Sequence, residues 1–107
     1  MNTQAIRHSD IVKVDDNTYT YSWVGPVRHE KSWGYTKATT EECRLTLRLT
    51  DGVVPSSMEL EAGEEYVDIG LEFDGDMVDG YDGVMSFPPQ AVAMLEALGY
   101  TVDESLK

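Results

Sequence analysis

The segment Asp74-Gly75-Asp76-Met77-Val78-Asp79-Gly80-Tyr81-Asp82-Gly83 sets four carboxylates among three glycines. Hard cations take several oxygen ligands from turns of this composition, so a metal-binding domain using loop 74–83 is one candidate. The spacing does not fit the best-known calcium loop. Begun at Asp74, that loop needs an oxygen ligand at its fifth position and an acid at its twelfth, where the chain has Val78 and Met85. A solvated turn is the plainer reading, and no metal or other cofactor is expected.

Nucleophilic chemistry would have to come from Cys43 with His8 or His29. Cys43 alternates with leucines on an apolar strand face, where a thiol acts as a small hydrophobe. His29-Glu30-Lys31-Ser32-Trp33 starts like a zinc-protease helix but lacks the second histidine four residues on. Acids are plentiful between Glu59 and Asp82, but a glycosidase-type pair needs a cleft that separates two pKa values, and so short a chain has little room for one. Gly80-Tyr81-Asp82-Gly83 lacks the length and lysine of a phosphate loop. Nothing here carries catalysis, and the chain is read as a non-enzyme.

Charge is distributed unevenly. Residues 1–48 hold seven Lys/Arg against six Asp/Glu, whereas residues 49–107 hold fourteen Asp/Glu and only Lys107, within a net charge of −12. Such a field repels nucleic acid and anionic membranes and draws basic surfaces toward the acid. The acids expected to meet a partner are Glu59, Glu61, Glu64, Glu65, Asp74, Asp76, Asp79 and Asp82. Asp68 and Glu72 are discounted, because a direct pairing of strands 43–50 and 66–73 sets Arg48 opposite Asp68 and Arg44 opposite Glu72.

A second candidate surface is aromatic. Half of the ten aromatic residues lie between Tyr19 and Tyr35, interleaved with Arg28, His29 and Lys31. Tyr19, Tyr21 and Trp23 share one face of a strand and are assigned to the core. Trp33 and Tyr35 fall in the unpatterned loop 25–40 and are candidates for partner contact.

By length and charge the chain resembles the small acidic inhibitors that phages and mobile elements direct at host nucleases, including anti-restriction and anti-CRISPR proteins. The resemblance covers no motif and transfers no residue. It implies a non-catalytic protein that occludes the basic, nucleic-acid-binding surface of a partner, without binding nucleic acid or membrane itself. The alternative is an accessory or structural protein that self-associates or docks through loop 25–40.

The elements that must hold these groups follow from periodicity. Ile11 to Val14 and Thr18 to Val24 form a hairpin around Asp15-Asp16-Asn17. Cys43 to Thr50 alternates Cys43, Leu45, Leu47 and Leu49 inward against Arg44, Thr46 and Arg48 outward, and stops at Asp51-Gly52. Met58 to Glu61 reads as a short strand. Tyr66 to Phe73 alternates Val67, Ile69, Leu71 and Phe73 against Asp68, Gly70 and Glu72. Gly83 to Phe87 reads as the last strand, and Pro89 to Leu98 as a helix stopped by Gly99.

The expected fold is α+β: an antiparallel sheet of about four to six strands with one C-terminal α-helix packed on one face. Residues 1–107 form a single domain in this reading. One cysteine and an opening MNTQAIRHSD without an apolar core point to a cytoplasmic protein.

Overall fold

A computed structural model describes residues 6–24, 30–31, 42–63 and 65–107. After a 3₁₀ turn at His8–Asp10, the elements are β1 (Val12–Asp15), β2 (Thr18–Val24), β3 (Glu30–Lys31), β4 (Glu42–Thr50), β5 (Val54–Ala62), β6 (Glu65–Asp74), β7 (Met77–Asp82), β8 (Val84–Ser86), α1 (Pro89–Ala97) and β9 (Thr101–Val102). Seven strands form one sheet in the order β1-β2-β4-β5-β6-β7-β9, and β3 pairs with β8 separately.

This corrects the expected fold class. The protein is mostly β, a seven-stranded sheet curled into a half-barrel, not four to six strands with a helix laid on one face. The sheet is mixed, because β9 runs parallel to β7 after the chain has crossed over through α1. Val84–Ser86 is therefore not the last strand, and Glu30–Lys31, inside the segment read as loop, is its partner.

The second correction concerns register. Strands 43–50 and 66–73 are not neighbours; β5 lies between them, pairing Leu45 with Leu60 and Leu47 with Met58 on one side, and Met58 with Ile69 and Leu60 with Val67 on the other. The expected short strand covers only its Met58–Glu61 portion, and the strand extends back through Pro55-Ser56-Ser57. The structure accommodates that tripeptide by a register shift: Arg48 faces Ser57 and Leu49 faces Pro55, leaving Ser56 unmatched. Pro55 lies beyond the stretch that pairs with β6, which begins at Ser57, so no ladder bond on that side needs its missing N–H.

The strand faces follow the alternation. Cys43, Leu45, Leu47, Leu49, Met58, Leu60, Ile69 and Val78 are buried on the inner side, with Ala91, Met94 and Leu95 of α1 in the same cluster. Tyr19, Tyr21 and Trp23 are partly buried against it, Tyr21 and Trp23 stacked at 5.5 Å between ring centroids. Pro89 opens α1, where no amide partner is required, and Leu98 and Gly99 close it, Gly99 at φ 95°. Tyr100 then reaches back, its hydroxyl donating to the Val53 carbonyl at 2.6 Å and its ring meeting Phe73 edge-on.

Candidate acidic interface

The inner positions are committed to the core, so Arg44, Arg48, Glu59, Glu61, Asp68 and Glu72 occupy the outer face. Pairing arranges them in rows. Ser22, Arg44, Glu61 and Tyr66 form one row, Thr20, Thr46, Glu59 and Asp68 the next, and Thr18, Arg48, Ser57, Gly70 and Asp82 the third. Glu72 lies beyond, opposite Gly80.

Across these rows the charge changes. β2 contributes hydroxyls. Between β4 and β5 the charges cancel: Arg44 donates through Nη2 at 2.6 Å and Nε at 2.9 Å to Glu61 Oε1. Arg48 forks onto Glu59, Nε to Oε2 at 3.2 Å and Nη2 to Oε1 at 3.3 Å. The Glu59 carboxylate raises the Arg48 pKa further, first by hydrogen bonding and then by its charge. On β6 and β7 the charge is acid alone; Asp68, Glu72, Asp74, Asp76, Asp79 and Asp82 form no ion pair with any described residue.

Glu59 and Asp68 face each other directly, an unfavourable pair of like charges. Two neighbours relieve it. Arg48 holds Glu59, and the Tyr66 hydroxyl donates to Asp68 Oδ1 at 2.8 Å. That bond favours the neutral phenol, and with lesser contributions from desolvation and the Glu59 charge it pushes the Tyr66 pKa up to about 12.

Two glycines shape the rest of the strip. Asp82 lies across Gly70, where a Cβ would collide with its carboxylate, and Glu72 lies across Gly80, with Oε1 2.6 Å from where a Cβ would sit. Each acid is thus laid flat over the neighbouring strand, a use of strand glycine that offsets its poor strand propensity. Asp82 stands level with Gly70, midway between Asp68 and Glu72, which are separated by roughly 13 Å at the usual strand rise. Asp74 and Asp76 carry the strip into the exposed β6–β7 turn, and Asp79 is exposed at a register shift in β7.

The sequence candidates are divided by this arrangement. Asp74, Asp76, Asp79 and Asp82 belong to the unneutralised strip. Glu59 and Glu61 are held by arginines instead. Asp68 and Glu72, discounted as internally paired, are the acids left exposed, because β5 comes between them and Arg48 and Arg44. Glu65 opens β6 opposite Ala62, while Glu64, Trp33 and Tyr35 lie outside the described residues. The exchange had a signal in the sequence: Asp51-Gly52 is a hairpin turn, both residues at positive φ (56° and 70°), and a hairpin pairs a strand with the next one along the chain.

Among the described residues no group of three or more His, Cys, Asp or Glu side chains is placed to hold a metal ion. Cys43 is 2% exposed. A half-open hollow of about 300 Å³ is lined by Ser22, Glu42, Cys43, Arg44, Glu61 and Gly63, and its arginine and Glu61 are bonded to each other. No described helix is long and apolar enough to cross a membrane. The chain matches no protein-family model, no curated protein and no solved structure.

Proposed function

We propose that this is a small, non-catalytic, acidic binding protein whose β6–β7 strip docks on a basic protein surface of the kind that grips nucleic acid, in the manner of an anti-restriction or anti-CRISPR inhibitor. One observation carries the reading. Asp68, Glu72, Asp74, Asp76, Asp79 and Asp82 lie along one margin of the outer face of the curled sheet with no described cation to neutralise them, while the acids of the adjoining strand are matched. A spaced row of carboxylates is complementary to a groove that binds phosphates, and such contact speeds encounter and selects partners by charge. A cytoplasmic location suits this role.

Competition is the test. Purified restriction or CRISPR effector complexes are loaded with labelled duplex DNA, and displacement by the protein is followed by fluorescence anisotropy. A fitting partner releases DNA at low salt and loses the inhibitor as salt rises from about 50 to about 200 mM. The triple substitution Asp68→Asn, Glu72→Gln, Asp82→Asn abolishes displacement, whereas Glu59→Gln with Glu61→Gln leaves most of it. Displacement that ignores both salt and the triple substitution would sink the proposal.

A further inference from the structure

Four Asp-Gly steps occur in the chain: Asp51-Gly52, Asp74-Gly75, Asp79-Gly80 and Asp82-Gly83. At such a step the backbone nitrogen of glycine can attack Cγ of the preceding aspartic acid, since no Cβ on the glycine obstructs the approach. The new N–C bond expels one water from the protonated carboxyl group and closes a succinimide. Water then adds to either ring carbonyl, giving aspartate back or isoaspartate, with no net change in mass and no oxidant or reductant. The reaction needs a glycine nitrogen that is unengaged and a backbone free to turn.

Three of the four steps are held. Gly52 N donates to Asn17 Oδ1 at 2.6 Å. Gly80 sits within β7 beneath the Glu72 carboxylate. Gly83, at φ 96°, is pressed so closely on the Asp68 carbonyl that a Cβ has no room, and the Asp82 carboxylate is directed away over Gly70.

Asp74-Gly75 has none of these restraints. It forms the tip of the β6–β7 hairpin, closed by the pairing of Asp74 with Met77. Asp74, Gly75 and Asp76 are all exposed, and nothing lies within 4 Å of where a Gly75 Cβ would be. Neither the Gly75 amide nor the Asp74 carboxylate has a hydrogen-bond partner among the described residues.

We propose that Asp74 is the site of spontaneous isoaspartate formation in the folded protein, and that the fold protects Asp51, Asp79 and Asp82. The product inserts a carbon into the backbone at the turn that sets the β6–β7 register and moves the carboxylate to a shorter branch. The full chain is aged at neutral pH and body temperature for several weeks, folded and in urea. Proteolytic peptides of unchanged mass are then separated by chromatography and assigned by electron-transfer fragmentation. In the folded chain isoaspartate accumulates at Asp74 several-fold faster than at the other three sites, and Asp74→Glu removes it. In urea the four sites react at comparable rates. Equal rates in the folded chain, a faster site elsewhere, or a folded Asp74 that stays intact while the unfolded one reacts would each overturn the assignment.

Discussion

Asp82 lies with its carboxylate across Gly70, the residue opposite it on β6, while Glu72 lies across Gly80 in the reverse sense. Each glycine is the floor on which the other strand's acid rests. The acidic margin of the sheet is therefore a product of two empty Cβ positions as much as of the acids themselves.

Alanine at these glycines separates side-chain from backbone obstacles. At Gly70 and Gly80 the obstacle is a movable carboxylate, so each substitution changes stability by less than about 1 kcal/mol and lifts the acid off the face. At Gly83 the obstacle is the Asp68 carbonyl and φ is 96°, so Gly83→Ala costs about 2 kcal/mol or more. Urea denaturation of the three variants checks the order; a Gly83 variant as stable as the other two would show that the β7–β8 corner is looser than described.

Double-mutant cycles distinguish the observed neighbours from those suggested by alternation alone. Arg44 with Glu61, and Arg48 with Glu59, couple by roughly 0.5 kcal/mol each, the usual range for half-exposed pairs on a sheet. Arg44 with Glu72, two strands away, couples by nothing measurable. A coupling to Glu72 as large as that to Glu61 would contradict the position of β5.

Tyr66 gives a pH signature. Its phenol titrates near 12 rather than 10.0, chiefly because it donates to Asp68. A folded value above the unfolded one means that the contribution to stability is complete below pH 10 and fades as pH rises toward 12. The group is half exposed, so the effect on stability is small and the titration itself is the readout. Phenolate absorbance of the wild type minus Tyr66→Phe should show the raised midpoint, and Asp68→Ala should bring it back toward the ordinary value. An unchanged midpoint would mean that Asp68 is not the acceptor.

Tyr100→Phe removes the 2.6 Å bond to the Val53 carbonyl but keeps the ring against Phe73. The loss is about 1 kcal/mol, because the freed carbonyl sits in an exposed turn and regains water. Hydrogen exchange should quicken in the Asp51–Val53 turn and around β9 together, since this tyrosine ties the two. Faster exchange in only one of them would mean that the strut is not carrying the link.

Much of the architecture is legible in the amino-acid sequence. Strict alternation assigned Leu45, Leu47, Leu49, Ile69 and the row Tyr19, Tyr21, Trp23 to the inner side, because a strand has a period of two and only one side of this sheet is dry. Proline at the start and glycine at the end bounded α1, since each fits a terminus for reasons local to the backbone. Both strand glycines and every acid of the strip were visible as residue types.

Neighbourhood is not legible in the alternation, where only the Asp51-Gly52 turn hints at it, and it decides the site. Whether Arg44 meets Glu61 or Glu72 depends on which strand lies next to β4, and alternation is satisfied equally by either partner. Pro55-Ser56-Ser57 hid the first part of β5, because a bulge that absorbs a proline is stabilised by pairing with β4 rather than by the tripeptide. The parallel strand β9 is too short to announce itself and forms only because α1 returns the chain beside β7. Period and composition settle which residues face inward and that the second half carries unbalanced acid. Only tertiary structure determined which of those acids are matched, since charge cancellation is a matter of distance across strands that are far apart in the chain.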